Sequence, residues 1–325
     1  MKILACASLI AAAAVACSSS SSRGAASPDA STGDDAAADA TPAIDTSLPP
    51  IDAAGIVAAR PYTLHVPPGL DASKPAPLVV MFHGYSVTGA IEEAYLDMAS
   101  ASDAAGFLFA YGDGTVDPKG FRFWNATDAC CDDYGIQVDD VQYFDAIVDD
   151  VQAGHSVDAR RIFVMGHSNG GFMSHRLACD RAQRIAAIVS LAGAQWDDPT
   201  RCAPVEPVSV LEIHGDADTT IRYAGGSTAN ADAGIVGGTY PSAHTTVATW
   251  AQKNGCTGAL ADTGQTLDVD ALLPGNETKV ETYGGCPASI DVQLWTIQGG
   301  IHEPNLNRPA FGQMVWGFMS AHARP

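Results

Sequence analysis

The chain has 325 residues, a formal net charge of -20 and 46% hydrophobic residues. An acidic chain with no visible basic patch lacks the electrostatic footprint that phosphate binding requires, which excludes a nucleic-acid partner. The charge bears on solubility rather than on fold, and it names no substrate.

From the N-terminus, Met1 and Lys2 supply a positive start to an apolar run from Ile3 to Ala16, too short to stay in a bilayer as a spanning helix. Cys17 follows, then serines 18–22, the pattern of a bacterial lipoprotein signal with Cys17 as the lipidated residue; simple cleavage is the alternative. Residues 1–17 are therefore expected to direct export. The protein is placed outside the cytoplasm, extracellular or at the cell surface, with membrane contact only through that anchor. Residues 18–55 are Ser, Ala, Asp, Thr and Pro without an aromatic residue, which cannot bury enough apolar surface to offset the entropy of ordering. They are expected to form a disordered acidic tether, leaving 56–325 as the folded domain.

Beyond the leader six cysteines remain, at 130, 131, 179, 202, 256 and 286. An even number in an exported chain points to disulfides. Cys256 and Cys286 flank Gly-containing loops near the last strand and are the expected pair. Cys130 and Cys131 are expected to find two different partners or to be partly free. No Cys/His spacing typical of zinc occurs, so no metal is expected.

Within 56–325, six apolar runs read as strands: 77–84, 106–112, 161–166, 186–193, 208–215 and 292–299. Continuous rather than alternating apolarity indicates burial on both faces. Between them 139–154 carries apolar residues at helical spacing, and 171–179 and 309–322 read as further helices. Strand-helix alternation predicts an α/β domain, a mostly parallel sheet covered by helices on both sides. Trp250, Trp295 and Trp316 lie in such runs and are expected in the core.

Gly166-His167-Ser168-Asn169-Gly170 fits G-x-S-x-G between a strand and a helix, the setting of a nucleophile elbow. Without its surroundings the pattern is weak; a Gly-rich turn with a capping serine would match it too. A serine hydroxyl needs a base to take its proton, and the base needs an orienting acid. His302 follows the last strand, and His214-Gly215-Asp216-Ala217-Asp218 follows the fifth. The order serine, acid, histidine matches this kind of fold. Asp216 and Asp218 compete for the acid; the His-Gly-x-x-Asp loop favours Asp218, leaving Asp216 as a turn carboxylate. His214 is expected as a buried scaffold residue. The oxyanion of an acyl-transfer intermediate needs backbone N–H donors, assigned to Asn169 and, in the loop His83-Gly84-Tyr85, to Tyr85. The Tyr85 phenol acts on substrate or simply packs. Trp124 is read as a stacking platform for substrate or as a core residue, and His83 as a second substrate contact.

The ordered series Phe82-His83-Gly84-Tyr85, Phe123-Trp124-Asn125-Ala126 with Cys130-Cys131, Val138-Asp139-Asp140-Val141, the elbow through Ser174, Ile213 to Asp218 and Gly299-Gly300-Ile301-His302 resembles the polyhydroxybutyrate depolymerase-like esterases, a group that includes feruloyl and acetyl xylan esterases. The resemblance spans roughly 56–325. It implies an α/β-hydrolase fold, no metal and no cofactor, and a serine carboxylic ester hydrolase with Ser168, Asp218 and His302 as triad. The implied substrates are short acyl or aryl esters, attached to plant cell-wall polysaccharide, or a polyester. A polymer-binding lipoprotein without catalysis and a serine peptidase are the alternatives. Two departures bear on substrate. Ile301 stands where the group commonly has Gly, and Glu303-Pro304-Asn305 replaces a Trp-Pro pair. Asp216 also stands where Thr is frequent.

Overall fold

The six apolar runs form the centre of one nine-stranded sheet in the computed structural model, which describes residues 52–229 and 237–324. The strands are β1 (Tyr62–His65), β2 (Ala76–Phe82), β3 (Leu108–Gly112), β4 (Val157–His167), β5 (Ala187–Leu191), β6 (Ser209–Gly215), β7 (Leu260–Leu267), β8 (Thr278–Tyr283) and β9 (Val292–Ile297). Their spatial order is β1-β3-β2-β4-β5-β6-β9-β8-β7. The six central strands, β3 to β9 in that order, are parallel. β1 at one edge, and β8 and β7 at the other, run antiparallel to their neighbours. Two short two-stranded ribbons lie outside the sheet.

Seven α-helices occur among the described residues: α1 (Ala53–Ala59), α2 (Gly89–Leu96), α3 (Met98–Ala105), α4 (Asp140–Gly154), α5 (Asn169–Asp180), α6 (Ala243–Lys253) and α7 (Ala310–Ser320). Because side chains alternate along a strand, each central strand feeds two cores. Leu78, Val80 and Val164 meet Phe144 of α4, Phe172 of α5 and Trp250 of α6. Val79, Met81 and Phe163 meet Met98 of α3 and Phe311 and Val315 of α7. The fold is therefore the expected α/β arrangement with both faces covered. α4 starts where its cap dictates, with the Asp139 carboxylate accepting from Gln142 N–H at 2.8 Å.

The predicted boundary after residue 55 is corrected. Asp52 caps α1 by accepting from Gly55 N–H at 2.9 Å, so 52–55 belong to the folded unit. The leader, Cys17 and the rest of the tether lie outside the described residues. The structure pairs Cys256 with Cys286 and Cys179 with Cys202. Among the described residues those two bridges leave Cys130 and Cys131 only each other, and they are bonded together. This corrects the expectation of separate partners or partly free thiols.

Candidate active site

β4, β6 and β9 are parallel, so the loops that leave them emerge at one rim of the sheet. Ser168, Asp218 and His302 sit on those three loops. Ser168 holds φ 53° and ψ -118°, a left-handed turn between β4 and α5 that lifts its hydroxyl clear of the sheet. The turn demands the motif's glycines. A Cβ on Gly170 would lie 1.9 Å from the Phe82 carbonyl oxygen, and one on Gly166 would lie 2.3 Å from Gly170. Nothing larger than hydrogen fits between strand and helix there.

The structure brings the three side chains into one line. His302 Nε2 is 2.9 Å from Ser168 Oγ, and His302 Nδ1 is 2.7 Å from Asp218 Oδ2. The other oxygen of Asp218 accepts from the N–H groups of Thr220 at 2.7 Å and Ile221 at 3.0 Å. Burial raises the proton affinity of Asp218, but hydrogen bonds from His214, His302 and Thr220 outweigh it and hold the carboxyl well below its ordinary range. Asp216 points elsewhere and accepts from Gly299 N–H at 2.7 Å in an exposed turn.

The backbone amides of Asn169 and Tyr85 have no intramolecular acceptor among the described residues. Asn169 opens α5, so its N–H has no intrahelical partner. Its side chain is committed to the Trp124 backbone, bonding the N–H at 2.7 Å and the carbonyl at 3.0 Å. Tyr85 N–H donates to no partner among the described residues, and its phenol is tied to Asp117. That bond favours the packing role for the ring.

The loop carrying Tyr85 is held from below by groups that sequence reasoning did not single out. Glu92 of α2, 2% exposed, accepts from Gly84 N–H at 2.8 Å. Its other oxygen is 3.5 Å from His167 Nδ1, while His167 Nε2 donates to the His302 carbonyl at 2.9 Å. Burial disfavours the imidazolium of His167, yet Glu92 outweighs it and raises its proton affinity. Glu92 and His167 thus join the loop that carries Tyr85 to the loop that carries His302. No sequence signal marked Glu92, and His167 read as the variable residue of the elbow.

Of the two candidate substrate contacts, His83 is corrected and Trp124 takes the core role that the sequence left open. His83 is fully buried; its Nδ1 donates to the Gly84 carbonyl at 2.7 Å and its Nε2 accepts from Gly114 N–H at 2.8 Å. Both ring nitrogens are spent on backbone, so it anchors the loop. Trp124 is also fully buried, 4.8 Å from Phe82 and 6.1 Å from Tyr143 between ring centroids, with Nε1 donating to the His83 carbonyl at 2.9 Å. It is a core residue, and a sugar or aryl ring has no face of it to stack on. Trp124→Ala should cost about 3–5 kcal/mol of stability, read as a lower urea midpoint.

The serine opens into a cleft of about 420 Å³. Tyr85, Val87, Ile91 and Tyr95 form its apolar wall; Glu303, from the segment that departs from the family pattern, lies at its rim. Tyr95 ties that segment down, its phenol donating to the Pro304 carbonyl at 2.8 Å.

The chain is similar to known esterases in sequence and fold. A family model described as phospholipase/carboxylesterase matches residues 70–233. Feruloyl esterase B of Piromyces equi is 29% identical over 269 residues, 82% of this chain but only 46% of that protein. A putative esterase, NocK, of Nocardia uniformis subsp. tsuyamanensis is 30% identical over 245 residues, 75% of this chain and 70% of the relative. Feruloyl esterase D of Neurospora crassa is 27% identical, covering 80% of this chain and 81% of that one. In fold, an acetyl xylan esterase from Aspergillus awamori superposes with a TM-score of 0.53 at 18% identity, over 80% of this chain and 93% of that structure. The chain belongs to the phospholipase/carboxylesterase family of α/β-hydrolases, a family of carboxylic ester hydrolases.

Proposed function

We propose that the protein hydrolyses short acyl or aryl esters by two-step acyl transfer, with Ser168 as nucleophile, His302 as base and Asp218 as the orienting acid. The observation that carries this is the His302 ring spanning Ser168 Oγ at 2.9 Å and Asp218 Oδ2 at 2.7 Å inside an open cleft. His302 takes the serine proton as the hydroxyl attacks the ester carbonyl. The N–H groups of Asn169 and Tyr85 receive the oxyanion. His302 returns the proton to the leaving alcohol, and water releases the acid by the same route. Asp218 holds the imidazole with Nδ1 protonated, leaving Nε2 free to accept.

An apolar wall of two tyrosines, a valine and an isoleucine suits an aryl or short acyl group. Glu303 at the rim disfavours an anionic acyl chain. Together with the feruloyl esterase relatives, this favours esters of plant cell-wall polysaccharide over polyester. Three disulfides fit an oxidising compartment, in keeping with export through residues 1–17 and a surface anchor at Cys17.

The test is a panel of methyl ferulate, acetylated xylan, polyhydroxybutyrate and a feruloyl amide, with fluorophosphonate labelling in parallel. Hydrolysis of the first two with labelling at Ser168 is expected. Equal turnover of the amide would make it a peptidase. Polymer binding without labelling or turnover would make it a binding protein.

A further inference from the structure

Behind the triad acid lies a polar chain that the mechanism does not use. Glu212 sits in the middle of β6, fully buried, with no arginine or lysine paired to it among the described residues. A lone carboxylate in a sheet core is costly and would be replaced without loss by an apolar residue if it served packing alone. Its two oxygens meet two histidines instead. His175 Nε2 is 3.0 Å from Oε2, and His214 Nδ1 is 3.2 Å from Oε1.

Hydrogen-bond chemistry fixes most of the protons. The indole of Trp250 only donates, and it donates to His175 Nδ1 at 3.0 Å. His175 is therefore neutral, with its single proton on Nε2 and given to Glu212. At His214, Nε2 faces the Ile221 carbonyl at 2.7 Å, which only accepts, so Nε2 carries a proton. Asp218 Oδ2, the oxygen bound by His302, is 3.4 Å from the same nitrogen. One proton remains, shared between His214 Nδ1 and Glu212. A carboxylate on each side of the ring favours placing it on the imidazole.

We propose that Glu212 and His214 form a buried carboxylate–imidazolium pair that acts through Asp218, holding its carboxylate in place and offsetting its charge at His302. This rests on the reading of Asp218 and His302 as triad members. His214 is a positioning residue and touches no substrate: it is buried and absent from the cleft lining. The groups facing it are Glu212, Asp218 and the ring of Tyr223 at 5.7 Å; beyond Glu212 stands neutral His175, and beyond Asp218 stands His302. Burial opposes a charge on His214, but its bonds to Asp218 and Glu212 push its proton affinity up to about 9. With His302 bound to one side of Asp218 and the positive ring to the other, the ring offsets part of the carboxylate charge that acts on the base.

Glu212→Gln isolates the charge. The glutamine carbonyl accepts from His175 Nε2–H, and its amide donates to His214 Nδ1, so both bonds survive while His214 becomes neutral. The acid limb of kcat/KM against pH should then move up by about one pH unit, with the plateau nearly kept. ¹⁵N-histidine spectra of the wild type near pH 7 should show one buried ring protonated on both nitrogens, and the variant should lose it. An unmoved or lowered limb, or a neutral His214 in the wild type, overturns the proposal. His214→Gln, should Glu212→Gln fail to fold, must move the limb the same way. Labelling of Ser168 by fluorophosphonate reports separately on the triad: a labelled variant with an unmoved limb sinks the pair alone, while an unlabelled wild type sinks the reading beneath it.

Discussion

Ser168→Ala is expected to reduce kcat on p-nitrophenyl acetate by about four to six orders of magnitude while leaving the fold intact. The size follows from what is lost. Without the hydroxyl there is no covalent intermediate, and the reaction falls back on water attacking a carbonyl polarised by two amides. The structure gives little reason for collateral damage. Alanine keeps the Cβ that already tolerates φ 53°, and the Ser168 N–H bond to the Leu191 carbonyl at 2.8 Å is a backbone feature. His302 keeps Asp218. The variant should therefore melt within a few degrees of the wild type, bind ester substrate and fail to react with a fluorophosphonate. Turnover within tenfold of the wild type would mean that another group attacks the ester, and the elbow would be an ordinary tight turn.

The sheet was legible because its central strands are buried on both faces, a condition that writes continuous apolar runs into the chain. Where burial is one-sided or absent the signal vanished. β7 is almost wholly exposed and reads Leu-Ala-Asp-Thr-Gly-Gln-Thr-Leu, with an irregular register around Gly264, so neither apolarity nor alternation marks it. β1 is a four-residue edge strand. α2 and α3 are short, and their sequences are dominated by alanine, serine and acids. The site divides the same way. Ser168, Asp218 and His302 are each preceded by a strand and glycine-rich turn, which gives them an address in the chain. Glu92, His167 and Glu212 have no such address; their importance is a matter of which atoms they face across the fold. His83 shows the opposite error, and Trp124 an ambiguity that only the packing resolves. Residue type and proximity to the motif suggested substrate contact, but the loop that carries them folds inward and spends every polar atom of those side chains on backbone.

Asp218→Asn tests the geometry most sharply, because a near-isosteric change should cost about 10⁴-fold in kcat. The reason lies in the direction of each hydrogen bond. One oxygen of residue 218 must accept from two backbone donors, Thr220 N–H at 2.7 Å and Ile221 N–H at 3.0 Å. An asparagine satisfies both only by placing its carbonyl oxygen there, which turns its amide toward His302. An N–H of that amide then faces His302 Nδ1, and the ring responds by putting its proton on Nε2. In that tautomer the base presents a proton to Ser168 Oγ rather than a lone pair, so it cannot deprotonate the hydroxyl 2.9 Å away. The same amide also approaches the Nε2–H of His214, replacing an attraction by a repulsion, so the loss should not fall short of the tautomer effect alone. Asp216→Asn is the control. Among the described residues its carboxylate accepts only from Gly299 N–H in an exposed turn, a bond that an amide oxygen reproduces, and its kcat should stay within about threefold of the wild type. If the two variants lost activity equally, or if Asp216→Asn were the worse, the acid would be misassigned and the His-Gly-x-x-Asp loop would have to be read with its first carboxylate in the working position.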